Sequence, residues 1–186
     1  MENLEKLSRE GWGAYEYLRD TDLSTVSGTS RLLRSSNRHK LHDRMVEELV
    51  ELRGVVEGTH FHEGFAHDLI LEGNEVWYWG TCTAINAGMD YESLLPHRAL
   101  QTGYDTDPVS RPELVPVFDK LLKKLDGPQS HDDELANLVQ VFCLVGRACR
   151  LNEMPPDRLL EQDKTEMSQK DYLANYWKRP APLLSR

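Results

Sequence analysis

Five glutamates stand at spacings that bring their carboxylates onto the faces of two predicted helices. Glu47, Glu48 and Glu51 lie in an amphipathic segment, where a rotation of about 100° per residue places all three within about 100° of one another. They border the apolar stripe of that segment and do not oppose it. Glu72 and Glu75, three residues apart in the next predicted helix, also share a face. If the two helices pack together, the carboxylates meet beside a hydrophobic core.

Carboxylates gathered at a core repel one another and need a neutralising partner. Arg44 and Arg53 are the cations that the same helix offers, and a divalent metal ion is the other solution. Oxygen ligands of this kind suit Mg²⁺ or Mn²⁺ and not zinc. Glu75 directly precedes the apolar residues 76–79, which favours a role at the core. A solvated acidic helix face is the alternative interpretation of the same glutamates.

Other side chains are candidates for binding a phosphorylated substrate. Cations just before the first acidic helix could bind phosphate, and an amide about three turns beyond Glu75 could bind a base or a phosphate. Aromatic residues of the N-terminal helix could stack on a base, although a core role is the alternative for them. The predicted substrate-binding residues are Arg34, Arg38, Lys40, Asn86, Trp12 and Tyr15.

His60 and His62 form a His-x-His pair, which is a possible ligand pair for a transition metal. Because glycines flank this segment, we interpret both histidines as exposed polar residues. The sequence contains no phosphate-binding P-loop, no serine nucleophile elbow and no zinc-binding cysteine pattern.

Composition excludes some classes of partner. The 22 basic and 31 acidic residues give a net charge of −9, which argues against binding to polymeric nucleic acid or to an anionic membrane. No apolar run approaches the ~20 residues that span a bilayer. The N-terminal residues lack the basic and apolar regions of a signal peptide, and the three cysteines are expected to be free thiols. We therefore expect a cytoplasmic protein.

Helical periodicity dominates the chain and predicts a single all-α domain over residues 1–186, built around a four-helix core. A weak internal repeat relates the two central helical pairs. It divides the domain into metal-binding catalytic helices (10–95), a degenerate scaffold repeat (110–160) and a tail (161–186). Two long, strongly apolar helices leave surplus apolar surface, which favours a homodimer or homotetramer. The predicted helices are 2–19, 38–56, 65–87, 112–125, 132–152 and a short one at 157–161, with a loop at 21–36 and a mixed segment at 89–107.

The acidic motifs resemble those of the MazG-like all-α nucleoside triphosphate pyrophosphohydrolases. Residues 47–51, read E-E-L-V-E, and residues 72–79, read E-G-N-E-V-W-Y-W, are similar to the paired E-E-x-x-E and E-x-x-D motifs of that superfamily. Residues 87–94 are similar to its L-G-I-D-x-E-E-L segment, and residues 15–21 are similar to its nucleotide-binding N-terminal helix. The resemblance covers about residues 10–95. Two positions depart from it, since Glu75 replaces an aspartate and Asn74 replaces a glycine.

The resemblance implies cleavage of a nucleoside triphosphate to a monophosphate and pyrophosphate. It implies two to three Mg²⁺ (or Mn²⁺) ions held by Glu47, Glu48, Glu51, Glu72 and Glu75, with Glu48 as the residue that activates water and Glu47 as the alternative. In the second repeat Asn137 stands where a ligand would be, so the C-terminal half resembles the scaffold of the dimeric dUTPase branch.

The substrate expectation is a deoxynucleoside triphosphate, with a slight preference for a purine such as dGTP because aromatic residues are plentiful. A helical adaptor with an acidic face and a catalytically inactive nucleotide sensor are the alternative functions.

Overall fold

The computed structural model describes residues 2–107 and 110–179. All regular structure within these residues is helical and no strand occurs among them, which confirms the all-α prediction. The helices are α1 (Glu2–Asp20), α2 (Gly28–Leu33), α3 (Arg38–Glu57), α4 (Phe65–Asn86), α5 (Tyr91–Leu94), α6 (Pro96–Asp105), α7 (Arg111–Leu125), α8 (His131–Leu151), α9 (Asp157–Ser168), a 3-10 turn (Asp171–Leu173) and α10 (Ala174–Trp177).

The centre of the fold is a ring of four helices in which α3 packs on α4, α4 on α8, α8 on α7 and α7 on α3. Helix α4 is apolar on most of its circumference. It is accordingly buried between α3, α8, α1 and α9. Helices α3 and α4 run antiparallel, because Glu51 lies beside Glu72 while the earlier Met45 lies beside the later Gly80. The fully buried side chains that fill the ring include Met45, Leu49, Val76, Trp77, Phe118, Phe142 and Val145.

Helix α6 lies unusually close to α8, and two glycines make this approach possible. A Cβ atom on Gly103 would stand 1.9 Å from the carbonyl oxygen of Cys143, and one on Gly146 would stand 2.0 Å from that of Leu100.

The mixed segment predicted at 89–107 contains two helices, α5 and α6. Asp90 caps α5 with its side chain. Pro96 occupies the first turn of α6, where a backbone N–H would have no acceptor within the helix, so proline is tolerated there.

The predicted loop at 21–36 contains helix α2. The Ser27 side chain accepts a hydrogen bond from the Ser30 backbone N–H and caps the helix, and burial of Leu33 stabilises it. Helix α9 extends well beyond the predicted 157–161, because Asp163 and Met167 continue its buried face. Residues 180–186 of the predicted tail lie outside the described part of the chain.

The structure also bears on the predictions about membrane spans and cysteines. Among the described helices, none combines the length and the hydropathy that a bilayer span requires. The three cysteines, Cys82, Cys143 and Cys149, are free thiols, as predicted.

Candidate metal centre

Three of the five predicted carboxylates come together between α3 and α4. Glu48, Glu51 and Glu72 each offer an oxygen, and these oxygens lie within 4.8 Å of one another. Glu48 is 4% exposed and Glu72 is 3% exposed, whereas Glu51 is partly exposed. Antiparallel packing brings residues 48 and 51 of one helix opposite residue 72 of the next. Glu47 and Glu75 are not members of this group.

Arg44 neutralises one end of the acidic site. One turn before the glutamates on α3, its guanidinium donates to the carboxylates of both Glu47 and Glu48. The same guanidinium lies 5.2 Å from the centre of the Trp79 ring, a cation–π distance. Glu47 is thereby held at the exposed rim, with its side chain 54% accessible, while Glu48 points inward.

Arg53, the other arginine that could neutralise the glutamates, forms its ion pairs away from the acidic site. Arg53 pairs with Glu57 at 2.8 Å and with Asp119 at 2.6 Å, and so connects α3 to α7. Among the described residues, no lysine or arginine lies within ion-pair distance of Glu51 or Glu72. The site therefore carries more negative charge than its neighbouring cations balance.

Burial and crowding disfavour ionisation of these acids. Burial raises the pKa of Glu48 to about 7, with repulsion from Glu51, Glu75 and Glu72 acting in the same direction and Arg44 acting against them. Burial also raises the pKa of Glu72, and repulsion from Glu51 adds to it. A bound divalent cation would remove this repulsion. The donor set of clustered carboxylate oxygens fits Mg²⁺ or Mn²⁺.

Glu75 faces a different space, on the side of α4 that meets α1 and α9. Its Oε2 accepts a hydrogen bond of 3.1 Å from Trp79 Nε1, and burial raises the pKa of its carboxyl. It borders a cavity of about 160 Å³. Asn74 lines this cavity, and its Oδ1 atom is buried without a hydrogen-bond partner among the described residues. The other residues that line it are Tyr15, Thr29, Tyr78, Asp163, Glu166, Met167, Lys170 and Tyr172.

The two aromatic residues predicted to stack on a base are both core residues. Trp12 is 2% exposed, and its ring meets that of Tyr91 edge-on at 5.6 Å. Tyr15 is 1% exposed and donates its hydroxyl to Asp163. Tyr15 nevertheless contributes to the cavity wall, so it alone of the predicted substrate-binding residues borders that space. The structure places Trp12 in the core and not in a binding site.

Arg34 and Asn86 hold the loop around α2. The Arg34 guanidinium donates to the backbone carbonyl of Arg19 at 2.9 Å. Asn86 donates its amide to the carbonyls of Leu33 and Ser35, at 2.9 and 3.3 Å. The contacts of both side chains are therefore structural.

Arg38 and Lys40 are exposed in the first turn of α3. A rise of 1.5 Å per residue puts Arg38 about 15 Å along the helix from Glu48. Arg38 borders a separate cavity of about 250 Å³, together with Gln129 and Glu134. The structure does not bring these two cations to the carboxylates.

The structure corrects the interpretation of His60 as a simple exposed residue, whereas His62 is exposed as predicted. His60 is half-buried, and the Nε2 atoms of both histidines lie beside Glu72, at 3.3 Å for His60 and 3.7 Å for His62. The signal available in the sequence was the His-x-His spacing between two acidic helices. Lys170 and Tyr172, which line the cavity near Glu75, carried no comparable signal because only the fold of the C-terminal segment brings them there.

The hairpin of α3 and α4 thus presents buried carboxylates with one arginine, bordered by two histidines and by a partly aromatic cavity. This combination defines a candidate divalent-metal site. No protein-family model, curated protein or solved structure matches the chain. Function is therefore inferred from the residues of the site and from the motif resemblance.

Proposed function

We propose that the protein is a metal-dependent nucleoside triphosphate pyrophosphohydrolase with a four-helix bundle of the MazG-like kind. The observation that carries the proposal is the group of Glu48, Glu51 and Glu72, two of which are buried, without enough cations to balance them. Burying carboxylates without enough positive charge to balance them is costly, and metal binding would explain why they are retained. The order of the motifs along α3 and α4 supports the same class of reaction.

Glu48, Glu51 and Glu72 would hold the metal, while Glu47 lies at the exposed rim and Glu75 borders the neighbouring cavity. When bound, Mg²⁺ or Mn²⁺ screens the phosphate charge from the acidic protein and lowers the pKa of a coordinated water. Glu48 is the residue placed to orient that water and take its proton, because its carboxylate is buried and held by Arg44. Glu47, which shares Arg44, is the alternative base.

The cavity beside Glu75 is the proposed place for the nucleoside. Tyr78 and Tyr172 offer aromatic surface, and Lys170 offers a cation. A deoxynucleoside triphosphate remains the expected substrate, with a slight preference for a purine such as dGTP. The aromatic support for that preference now comes from tyrosines, since Trp12 and Trp77 are core residues.

The alternative of an acidic adaptor fits the burial less well. A face that binds a basic partner has to be exposed, but Glu48 and Glu72 are almost fully covered. The nucleotide sensor differs from the enzyme only in turnover, so the assay decides between those two.

The test is a panel of the common ribo- and deoxynucleoside triphosphates, including dUTP, with Mg²⁺ or Mn²⁺. Pyrophosphate and orthophosphate are measured separately. Pyrophosphate as the primary product is expected with at least one deoxynucleotide. Orthophosphate as the primary product rejects the proposal, and nucleotide binding without turnover favours the sensor.

Variants connect the activity to the site. Glu48→Gln and Glu72→Gln are expected to lower pyrophosphate release by about 100-fold or more, because each removes a charged oxygen that binds metal or accepts a proton. Glu57→Gln is the matched control, since Glu57 lies exposed on the same helix and pairs with Arg53. Circular dichroism establishes that each variant is folded.

A further inference from the structure

The Nε2 atoms of His60 and His62 and the Oε1 atom of Glu72 form a compact triangle. The two nitrogens lie 2.9 Å apart, and the oxygen lies 3.3 Å from His60 and 3.7 Å from His62. A single point about 2 Å from all three atoms follows from these lengths, and about 2 Å is the length of a bond from Zn²⁺ to imidazole or carboxylate. The three donors thus already surround a position that one metal ion can occupy.

The loop that carries the histidines is held at both ends. After α3 ends, the N–H groups of Gly58, Thr59 and His60 all donate to the carbonyl of Gly54. Gly54 also gives His60 room, because a Cβ atom at residue 54 would stand 2.8 Å from the His60 Cβ. His60 is therefore seated directly on the surface of α3.

His62 is fixed from the other side by Asp68, in the first turn of α4. The Asp68 carboxylate is 1% exposed and accepts the backbone N–H groups of His62, Glu63 and Gly64 at 3.0, 3.0 and 3.3 Å. These bonds orient the segment that presents the His62 side chain. The imidazole itself is half-exposed, so a metal ion and a water ligand can reach it.

We propose that His60, His62 and Glu72 bind a divalent transition-metal ion of the zinc class, with at least one coordination position open to solvent. Imidazole nitrogen is a ligand for Zn²⁺, Co²⁺ and similar ions, whereas Mg²⁺ prefers oxygen. Two histidines and one glutamate, with an open position, form the ligand set of a catalytic type of zinc site.

The proposed transition-metal site shares Glu72 with the carboxylate group of Glu48 and Glu51. Glu51 Oε2 also lies 3.8 Å from His60 Nε2. The hairpin thus offers a nitrogen-containing site at the loop end next to an all-oxygen site further into the helices. The proposal depends only on these side chains and stands whether or not the protein hydrolyses nucleotides.

The test uses the full-length protein after chelator treatment, titrated with Co²⁺ and followed by its visible ligand-field absorption, and with Zn²⁺ followed by calorimetry. Wild type is expected to bind one such ion with a spectrum that indicates nitrogen ligands. His60→Ala and His62→Ala are each expected to weaken binding at least about tenfold. His131→Ala is the matched control, because His131 is exposed at the start of α8 and far along the chain from the triangle.

Gly54→Ala supplies an independent variant that keeps every ligand. Its added Cβ displaces His60, so metal binding is expected to weaken although the helix itself favours alanine. Wild type that shows no nitrogen-ligated Co²⁺ spectrum, or histidine variants that bind as tightly as wild type, would overturn the proposal. In that case His60 and His62 pair only with each other and with Glu72.

The two proposals fail in distinguishable ways. If no assay detects pyrophosphate release but Co²⁺ binding is intact, the enzyme proposal is rejected and the proposal of a histidine metal site stands. If the protein releases pyrophosphate with Mg²⁺ but gives no spectrum of nitrogen-ligated Co²⁺, the proposal of a histidine metal site is rejected and the enzyme proposal stands.

Discussion

Glu72 is the residue on which both proposed sites depend. It is buried, it faces Glu48 and Glu51 on one side, and it faces two imidazoles on the other. The glutamate carboxylate has two oxygens, so it can bind two metal ions at once. A neutral amide side chain such as asparagine has only one oxygen and cannot do this. Because its neighbours differ in chemistry, the two proposed sites are expected to favour different metals.

Asp163 is a second buried acid, and it gives the protein a specific dependence of stability on pH. It is 5% exposed and accepts hydrogen bonds from Tyr15 and from Trp77 Nε1 at 3.0 Å. Burial raises its pKa to about 6, although both hydrogen bonds act to lower it. Since the unfolded value is about 4, the folded state holds this proton more tightly, and stability from this group is lost as pH rises from about 4 through 6.

Asp163→Asn removes this titration. Relative to wild type, the variant is expected to gain roughly 2 kcal/mol in unfolding free energy on going from about pH 4 to pH 7. Asparagine keeps an acceptor oxygen for Trp77 Nε1 and presents an N–H to the Tyr15 hydroxyl oxygen, so that the second hydrogen bond is kept with its direction reversed. Urea unfolding of both proteins at several pH values measures the difference, and a difference that is constant with pH contradicts the prediction.

At the scale of elements, the antiparallel hairpin of α3 and α4 positions the carboxylates, and the close pair of α6 and α8 supports it from outside. Helix α8 packs on α4 with one face and on α6 with another. The absence of side chains at Gly103 and Gly146 sets the distance between α6 and α8.

Gly103→Ala is expected to destabilise the fold by about 3 kcal/mol, because its Cβ would overlap the Cys143 carbonyl and force the helices apart. In a helix without such a contact, the same change is stabilising by up to about 1 kcal/mol. Gly28→Ala in α2 is the matched control, since nothing lies within 4 Å of its added Cβ. Chemical denaturation of the two variants should give opposite signs, and equal signs would show that the helices are not in close contact.

At the scale of the whole molecule, the net charge of −9 includes buried acids that repel one another. Mg²⁺ bound at about 100 times its Kd is expected to add about 2.7 kcal/mol to the unfolding free energy, or roughly 5–10 °C in Tm for a chain of this length. Glu51→Gln should reduce this shift, whereas Glu57→Gln should not. Thermal unfolding with Mg²⁺ or with NaCl at equal ionic strength measures it, and equal Tm values in the two salts would contradict a specific site.

Two predictions at this scale stay predictions. The apolar character of residues 65–87 and 132–152 predicts a homodimer or homotetramer, and within the described chain those helices are buried against their own neighbours. The cytoplasmic location is the other prediction that no observation tests.

Residue spacing along the chain predicts the helices of the central ring and the face on which their glutamates lie. This was possible because helical periodicity is local: spacings of three and four residues place Glu48 and Glu51 on one face without knowledge of the rest of the chain. The apolar circumference of α4 likewise predicts its central, buried position.

The residues that surround those carboxylates could not be predicted from spacing, because tertiary packing brings them there. His60 and His62 reach Glu72 because the carbonyl of Gly54 and the carboxylate of Asp68 fix the path of a loop, and loop paths have no periodicity to read. The same reason applies to Arg34 and Asn86, which bind backbone carbonyls, and to Lys170, which the C-terminal segment brings to the cavity. Contacts between distant segments depend on packing geometry, which residue spacing along the chain does not encode.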